Sequence, residues 1–451
     1  MASADVRPAD PVMESCFWLA TLPYEPGSSL EGDLEVDVAI IGGGFTGLST
    51  AFFLKQAEPG LRVALLEAQI IGYGASGRNG GFSMTKIGMM HSMTRLRFGS
   101  ARTIEAHEYA DRAVNLVHDL VREHRLDCDY EHAGFLWLAT SDKLSSRLQA
   151  ELDLIERLGI KGIEALSESE VAARVHSPLY TGVGWWEPNC GILNPAKLAS
   201  SWRDRIVSQG VDVFENTSVS SVTRVGDKTA LVTPGGWVKA NKVVFATNAW
   251  SHQFQPLVRK QVPVWTYIVL TEPLSDVQIE AIGWSGREGI EDFRDLVHYY
   301  RLTADNRILL GGRDAGVGDG WSMDFDFDES IFGKLRSDLV AIFPDLAGIG
   351  FTHAWGGPIS GTLDVFPALG HVGGRDWVYS LGCCGHGVST THLHGKTLSD
   401  LVLERDTDLT QTFFVDRRIL PVPSGFLRLP AVKGIIGFMR WEDRNYDVLP
   451  A

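Results

Sequence analysis

The sequence predicts an α/β protein in which a Rossmann-type dinucleotide-binding domain is joined to an inserted α+β domain with an antiparallel sheet. Two observations predict the first domain. The apolar run 36–41 leads into Gly42-Gly43-Gly44-Phe45-Thr46-Gly47, and a second apolar run, 62–66, is followed directly by Glu67. A strand, a tight glycine turn, a helix, a second strand and an acid form the βαβ unit that binds a dinucleotide.

Each part of this motif has a physical role. Gly42 allows the sharp turn, Gly44 lets the backbone approach a pyrophosphate, and Gly47 lets the helix pack close to the strand. The first N–H groups of the helix and the positive end of its dipole attract phosphates. Glu67 stands about 20 positions after the last glycine, where an acid accepts hydrogen bonds from ribose hydroxyls and disfavours a 2′-phosphorylated cofactor.

A second glycine-rich segment, 71–82, follows the second strand, where a nicotinamide-binding domain would usually continue into another crossover helix. Its backbone N–H groups and Ser76 could lie along an extended ligand. The segment resembles the D-amino-acid-oxidase/glycine-oxidase superfamily. Its form, Gly74-Ala75-Ser76-Gly77-Arg78-Asn79-Gly80-Gly81, is most similar to gamma-glutamylputrescine oxidoreductase-like amine oxidoreductases. The resemblance implies that the cofactor is FAD.

A third segment near the carboxyl end also places a helix start beside a ligand. The apolar run 378–381 leads through Cys383 and Cys384 into Gly385-His386-Gly387-Val388. A helix N-terminus supplies the positive potential that an anionic reduced flavin needs. The same four residues match the carboxy-terminal flavin motif of the superfamily, and the resemblance extends from about Trp18 to 421–423. It also implies that Val219 faces the adenine and that the strand and turn at 242–250 lie beside the cofactor.

These segments together give the predicted FAD-binding residues. They are Gly42, Gly44, Phe45, Thr46, Gly47, Glu67, Ala68, Gly74, Ala75, Ser76, Arg78, Asn79, Gly80, Gly81, Phe82, Val219, Ala246, Thr247, Trp250, Gly385, His386, Gly387 and Val388.

The resemblance implies a glutathione-reductase-like FAD-binding domain that is interrupted by the substrate domain. We expect an N-terminal arm at 1–32, the FAD-binding domain at 33–98, 190–258 and 352–406, the substrate domain at 99–189 and 259–351, and a C-terminal tail at 407–451. Helical periodicity over 100–123 and 144–158 predicts long helices outside the nucleotide fold. The alternating runs at 262–270, 298–302 and 307–312 predict strands of the second sheet.

In the resembling family the second sheet covers the flavin, which makes Tyr267, Tyr299, Tyr300 and Arg301 candidate catalytic or pocket residues. The alternative is that these tyrosines only pack in the sheet. Arg301 falls roughly where relatives place a lysine that assists oxygen reduction. His386 is a fifth candidate, and its flanking glycines at a helix start favour ordering of the flavin over proton abstraction.

The sequence predicts neither a metal site nor a covalent link to the flavin. Cys383, Cys384, His386, His392 and His394 could suggest a metal, but a helix turns the later residues in different directions, so no metal is predicted. Sarcosine oxidases of the superfamily carry a flavin-linking cysteine where this chain has Gly356-Gly357, and 72–81 lacks the histidine that other relatives use for attachment. We therefore predict non-covalent FAD.

The predicted reaction is hydride transfer from the carbon alpha to a neutral amine onto flavin N5, with hydrolysis of the resulting imine and reoxidation of the flavin by oxygen. Sarcosine-type relatives clamp a substrate carboxylate with a basic residue just after Gly-His-Gly. Here Val388-Ser389-Thr390 occupy that place, which favours a longer amine. The alternatives are a dehydrogenase that delivers electrons to a quinone or carrier protein, and a non-catalytic nucleotide-binding scaffold like the Rab escort relatives of the fold.

Composition agrees with a small-molecule enzyme. The chain has 41 basic and 56 acidic residues and a formal net charge of −15, which disfavours nucleic acid and anionic membranes as partners and suits a cationic substrate. Five cysteines without a paired spacing favour a reducing cytoplasm. Neither a signal peptide nor a membrane span is expected.

Overall fold

The computed structural model describes residues 10–318, 322–423 and 428–446. Their helices are α1 (Pro11–Ser15), α2 (Phe17–Ala20), α3 (Phe45–Ala57), α4 (Ala75–Arg78), α5 (His91–Phe98), α6 (Ser100–His124), α7 (Asp142–Leu158), α8 (Glu168–Ala172), α9 (Pro195–Ser208), α10 (Asp276–Ile282), α11 (Glu329–Ile342), α12 (Gly387–Val402) and α13 (Arg428–Tyr446). Short 3-10 turns lie at Asn248–Gln253, Gln255–Leu257 and Pro344–Leu346.

The strands of the same residues form two large sheets and one small one. They are β1 (Leu34–Ile41), β2 (Val63–Leu66), β3 (Phe82–Ser83), β4 (Phe135–Leu138), β5 (Glu164–Leu166), β6 (Gly184–Glu187), β7 (Gly191–Ile192), β8 (Asp212–Phe214), β9 (Ser221–Val225), β10 (Lys228–Thr233), β11 (Gly236–Phe245), β12 (Val262–Thr271), β13 (Gly289–Asp292), β14 (His298–Leu302), β15 (Ile308–Gly312), β16 (Phe351–Gly361), β17 (Ala368–His371) and β18 (Trp377–Leu381).

The first sheet has the parallel centre that the glycine motif predicts. Its strands run in the order β17-β18-β11-β1-β2-β8, and β1 pairs in parallel with both β2 and β11. Val38 and Ile40 face a core shared with helices, whereas Ala39 and Ile41 face a second core. Both faces are therefore covered, as parallel sheets require. The antiparallel pairing of β10 with β11 forms a hairpin around Gly235.

The second sheet is mainly antiparallel and has the order β16-β12-β15-β14-β13-β4-β6-β5. Only the pairing of β13 with β4 is parallel among its described strands. One face packs against α11 through a core that includes Tyr267, Tyr300, Leu335 and Leu339. The predicted strands at 298–302 and 307–312 are confirmed to within one residue.

The helix layer over the first sheet differs from the prediction in one respect. The helices α3 and α12 cross so closely that a Cβ at Gly395 would lie 2.5 Å from Ser49 Oγ. The long helix α6 packs against α12, and its buried Ala106, Ala110 and Ala113 belong to the core of the first sheet. Residues 100–124 therefore form part of the nucleotide fold, because their small side chains permit this close approach.

The strand β16 also lies elsewhere than predicted. The sequence assigns 352–361 to the FAD-binding domain, but β16 pairs with β12 from Val262 opposite Gly361 to Ile268 opposite Trp355. Backbone pairing of this length joins β16 to the second sheet. The segment 352–361 is thus a shared element, since its side chains also reach the first domain.

The two ends of the described chain pack onto the second sheet. Trp18 of α2 belongs to one hydrophobic cluster with Ile268 and Trp355 of the sheet, and its Nε1–H donates to the Asn79 carbonyl at 2.9 Å. At the other end, Val432 and Ile436 of α13 pack on Val262 and Val422. Part of the predicted tail is therefore a docked helix. Residues 1–9, 424–427 and 447–451 of the predicted arm and tail lie outside the described residues.

Candidate active site

A cavity of about 640 Å³, here called the first cavity, lies at the carboxyl ends of the parallel strands of the first sheet. Ile41 ends β1, Leu66 ends β2 and Ala246 follows β11, and all three line it. The starts of α3 and α12 complete its wall. Ligands of doubly wound sheets bind at this edge.

Three positions of the first motif require glycine because a side chain there would come too close to a neighbouring atom. Gly42 has φ +109°, and a Cβ there would lie 2.6 Å from the Ala246 carbonyl oxygen. A Cβ at Gly47 would lie 2.0 Å from the Gly42 carbonyl oxygen. A Cβ at Gly44 would lie 2.8 Å from Ser76 Oγ. The backbone turn from β1 into α3 is thus tight and open to a ligand on its cavity side.

Two helix starts face this cavity, and the residue that precedes each helix does not cap it. Gly44 precedes α3 and His386 precedes α12, and neither side chain caps its helix. The Phe45 N–H donates to Ser76 Oγ at 2.9 Å. Uncapped helix starts leave N–H donors and positive dipole ends for anionic groups, such as a pyrophosphate and an anionic ring.

Glu67 directly follows β2 and lines the first cavity. Its Oε2 accepts a hydrogen bond from the Gly43 N–H at 2.7 Å, and its Oε1 accepts one from the Gln69 N–H at 2.9 Å. Burial raises the pKa of Glu67. The two backbone bonds fix the carboxylate, whose remaining lone pairs can accept ribose hydroxyls.

A second cavity, of about 830 Å³, adjoins the first. The residues that line both cavities form what we call the shared wall: Ala75, Arg78, Asn79, Ile359, Gly385 and Val388. Arg78 is buried there and forms an ion pair with Asp326 at 3.1 Å. Its Nε–H is buried without a hydrogen-bond partner among the described residues.

The donors and cradle of the first cavity fit FAD. The glycine turn and helix starts suit the pyrophosphate, Glu67 suits the ribose, and the orphaned Arg78 Nε–H suits an acceptor atom of the ring system at the shared wall. The second cavity then lies where a substrate would meet that ring.

The roof of the second cavity is a row of side chains from five strands. Direct pairing places Trp137 beside Glu291, Glu291 beside Tyr299, Tyr299 beside Gly311, Gly311 beside Ile268 and Ile268 beside Trp355. Directly paired residues share a face of a sheet. We call Trp137, Glu291, Tyr299, Ile268 and Trp355 the roof row, and all five line the second cavity.

Comparison with known proteins agrees with this geometry. The family model described as DAO, FAD dependent oxidoreductase, matches residues 37–401. The chain is 33% identical to the gamma-glutamylputrescine oxidoreductase of Escherichia coli over 90% of this chain and 92% of that protein.

The chain belongs to the DAO family of FAD-dependent oxidoreductases.

A further relative supports the same family, and two solved structures share the fold. A probable oxidoreductase, OrdL, of Rhizobium meliloti is 29% identical over 88% of this chain and 91% of its own. Glycine oxidase from Geobacillus kaustophilus superposes with a TM-score of 0.73 at 21% identity, covering 85% of this chain and all of that chain. L-proline dehydrogenase from P. horikoshii superposes with a TM-score of 0.68 at 20% identity, covering 84% of this chain and 96% of that chain. The fold is that of the DAO family and the cofactor is FAD.

Most of the residues predicted to bind FAD line the first cavity of this DAO-family chain. They are Gly42, Gly44, Phe45, Thr46, Glu67, Ala68, Gly74, Ala75, Ser76, Arg78, Asn79, Val219, Ala246, Thr247, Trp250, Gly385, Gly387 and Val388. Gly80, Phe82 and His386 line the second cavity instead. Gly47 and Gly81 line neither cavity, because each packs against a backbone carbonyl, of Gly42 and Leu193 respectively.

The predicted pocket position of Arg301 is wrong. Arg301 lines neither cavity, and its buried guanidinium donates to the carbonyls of Gly81, Leu193 and Leu302 at 3.2, 2.7 and 3.0 Å. Burial lowers its pKa to about 10. Arg301 points to the same face as Tyr299, but the 81–82 segment covers it, so it ties that segment to the sheet.

Tyr300 and Tyr267 also lie outside both cavities. The Tyr300 hydroxyl lies 2.7 Å from the Tyr180 hydroxyl within the core beneath the sheet. The Tyr267 hydroxyl donates to the Phe325 carbonyl at 3.0 Å. Side chains alternate across a strand, so only alternate tyrosines reach the cavity, and the structure corrects both predictions.

Tyr299 and His386 do line the second cavity. The Tyr299 ring lies over Gly311, where a Cβ would be 2.4 Å from it. The His386 Nδ1 is buried without a hydrogen-bond partner among the described residues. Burial and the nearby Lys86 ammonium hold the pKa of His386 well below its usual range. The imidazole is therefore neutral above acidic pH and faces the cavity as a polar group.

Several cavity residues escaped the sequence analysis. Gln69, Ser218, Asn248 and Ile359 line the first cavity, and Lys86, Trp137, Glu291 and the α13 residues Phe438, Met439 and Glu442 line the second. Ser218 and Gln69 adjoin predicted residues and could have been found from them. Glu291 and Trp137 carry no local motif, since strands far apart in sequence bring them together.

The described parts of the chain contain neither a metal-binding cluster nor a membrane-spanning helix. No group of three or more histidine, cysteine, aspartate or glutamate side chains there could hold a metal ion. None of the described helices has the length and apolar character to span a membrane.

Proposed function

We propose that the protein oxidises the C–N bond of a primary or secondary amine whose reacting carbon carries no carboxylate, such as a gamma-glutamylputrescine-like amine. The shared wall carries this proposal. Among its six residues Arg78 is the one cation, and it is already bonded to Asp326. A carboxylate on the reacting carbon would have no other charge partner there.

The apolar part of the second cavity favours the neutral form of an amine. Tyr299, Ile268 and Trp355 cover it on the roof side, and Phe82 and Met84 line it from another segment. Burial in such surroundings disfavours the charged form of an ammonium. A neutral amine can lose hydride from its alpha carbon, so this environment supports amine oxidation.

Bound FAD supplies the hydride acceptor. The residues of the chain supply the rest: the shared wall positions the reacting carbon, the roof row excludes water, and the neutral His386 offers a hydrogen-bonding group. No described residue must abstract a proton from carbon in this scheme. Release of the amine proton to solvent before hydride transfer is enough.

The relatives support an amine or amino acid as substrate. One is named for gamma-glutamylputrescine, and another, of Pseudomonas aeruginosa, is a glycine oxidase, 26% identical over 82% of this chain. The higher identity to the first agrees with a shared wall that has no free cation. We infer oxygen as the electron acceptor.

The test is an anaerobic titration of the purified yellow protein with a panel of amines. The absorbance of the flavin is the readout. Putrescine, its gamma-glutamyl derivative, sarcosine and glycine form a matched panel. We expect bleaching by the gamma-glutamyl amine and weak or no bleaching by glycine and sarcosine. Admission of oxygen should then restore the colour within the time of steady-state turnover.

The alternatives predict different results. Rapid bleaching by glycine or sarcosine alone would contradict the proposed substrate class. Bleaching that only a quinone or carrier protein reverses would identify a dehydrogenase. A protein that no amine bleaches would agree with the non-catalytic scaffold.

A further inference from the structure

An ion pair that is not part of the shared wall lies inside the second cavity. The Lys86 Nζ lies 2.9 Å from Glu291 Oε1, with side chains only 14% and 4% exposed. The same ammonium lies 4.2 Å from the centre of the Trp137 ring. All three residues line the cavity. A cation and an anion are therefore both presented to whatever fills this region.

Both charged groups keep unused hydrogen-bonding capacity. An ammonium has three N–H donors, and within the described residues Lys86 uses one of them, on Glu291 Oε1. The Glu291 Oε2 accepts no hydrogen bond from the described residues. One carboxylate oxygen and two N–H groups thus remain for a ligand.

A buried ion pair at this position costs free energy unless it binds a ligand. Taking an ion pair out of water costs several kcal/mol per ion, and apolar residues of similar volume are often as good for stability. Burial raises the pKa of Glu291 even though Lys86 is beside it. The fold offers an apolar alternative here, since the neighbouring members of the roof row are Trp137 and Tyr299. A binding role accounts for the pair better than a stabilising one.

Glu291 is also well separated from Ile359, one residue of the shared wall. Glu291 is on β13, four strands from β16, which carries Ile359 of the shared wall. At a strand spacing of about 4.8 Å this separates the two by roughly 19 Å across the sheet. A ligand that touches both ends of the cavity must therefore be elongated.

We propose that Lys86 and Glu291 bind a zwitterionic alpha-amino acid head group at the far end of an elongated amine substrate. Lys86 holds the carboxylate of this head, and Glu291 holds its ammonium. The Trp137 and Tyr299 rings enclose the head group on either side. The inference rests on the proposed function only in using the second cavity as the substrate site.

A second ion pair in the same cavity is the competing location. Arg147 Nη2 lies 2.8 Å from Asp295 Oδ1, and their side chains are 37% and 15% exposed. Water screens charges at this exposure, so the pair attracts a charged head less than the buried one does.

The test uses ligands that carry the head but no amine at the reacting end. Gamma-L-glutamyl-butylamide has the full zwitterion, glutaric acid monobutylamide lacks the ammonium, and gamma-aminobutyryl-butylamide lacks the carboxylate. Binding to the anaerobic holoprotein is measured by isothermal titration calorimetry. We expect the full head to bind about 10- to 100-fold more tightly than either truncated ligand, since each lost charged hydrogen bond weakens binding by about that factor.

Variants of Lys86 and Glu291 show which residue binds which charge of the head group. Glu291→Gln should weaken the full head about 10- to 100-fold and leave the affinity for the ligand without ammonium unchanged. Lys86→Met should weaken the full head by a similar factor and leave the affinity for the ligand without carboxylate unchanged. The double variant Lys86→Met, Glu291→Leu carries no unpaired buried charge and should bind all three ligands equally weakly. Glu131→Gln breaks a similar ion pair with Arg287 outside both cavities and serves as the control.

Equal affinity of the wild type for all three ligands would overturn the proposal, as would variants of Arg147 and Asp295 that abolish the preference while the Lys86 and Glu291 variants retain it. Failure of the proposed function is a separate outcome, because calorimetry detects the head group whether or not any amine bleaches the flavin.

Discussion

Tyr299 and Tyr300 are neighbours in β14 whose side chains lie on opposite faces of the second sheet. Tyr299 lines the second cavity, and Tyr300 belongs to the core against α11. Because side chains alternate along the strand, we expect Tyr299 to have a functional role and Tyr300 a structural one. It provides a matched pair of substitutions.

We expect Tyr299→Ala to change the amine concentration for half-maximal flavin reduction, or the limiting rate, because it removes part of the cavity roof. Tyr300→Phe should leave both values unchanged. It should lower the free energy of unfolding by about 1–3 kcal/mol, since the buried Tyr180 hydroxyl loses its partner. Stopped-flow reduction and urea unfolding provide the two measurements. A kinetic effect of Tyr300→Phe equal to that of Tyr299→Ala would contradict this division.

Glu67→Ala should weaken FAD binding and spare the chemistry of the bound flavin. Losing a charged hydrogen bond to a ribose costs about 1.5–3 kcal/mol, or roughly one to two decades in affinity. Fluorescence titration of apoprotein with FAD measures the loss, and anaerobic reduction per bound flavin is the control. Retention of FAD like that of the wild type would contradict the assignment.

Arg301→Met should destabilise the protein without impairing either half-reaction. Its guanidinium donates to three carbonyl oxygens that no longer have this donor in the variant. We expect the free energy of unfolding to fall by about 3 kcal/mol. Reduction and reoxidation are followed separately by stopped flow. A normal reduction rate with slow reoxidation would instead restore the oxygen-related role that the sequence suggested.

Acid precipitation should release all the flavin as FAD. Cys383 and Cys384 lie beside the two cavities, and burial raises the pKa of both thiols, to about 12 for Cys384. Raised values disfavour the thiolates that would attack a flavin. The supernatant is analysed by chromatography and the pellet by absorbance. Yellow colour that stays in the wild-type pellet and disappears in Cys383→Ser or Cys384→Ser would refute non-covalent binding.

Acid should destabilise the protein through His392. Its Nδ1 lies 2.6 Å from the Val388 carbonyl, and its Nε2 accepts the Trp202 Nε1–H at 2.9 Å, so the network is made by the neutral ring. Burial lowers its pKa from 6.5 to about 4. Between these values the unfolded chain binds a proton that the folded protein does not. The free energy of unfolding therefore falls by about 1.4 kcal/mol for each pH unit lost in this window.

Urea unfolding of the holoprotein at a series of pH values measures this slope. The variant His392→Gln should be less stable near pH 8 but should lose stability less steeply between pH 6.5 and about 4. Above pH 6.5 the two slopes should agree, because the histidine is neutral in both states there. An unchanged slope in acid would show that His392 does not contribute to it.

The sequence by itself determined the cofactor site. Gly42, Gly44 and Glu67 lie within one βαβ unit, where local turn chemistry and short-range contacts decide the geometry, and so their roles follow from spacing. The Gly-His-Gly segment before α12 is local in the same way. Such motifs are readable because a strand, its turn and the next helix are continuous in the chain.

Tertiary structure decided the substrate side. Whether Tyr299 or Tyr300 reaches the cavity depends on which face of the second sheet meets the first domain, and a strand considered alone does not fix that choice. The 81–82 segment covers Arg301 only because it crosses the sheet from a distant part of the chain. The pairing of Glu291 with Lys86 likewise needs β13 beside β4 and the 84–87 segment above them. Long-range pairing therefore created the charged end of the cavity, which no short stretch of sequence encodes.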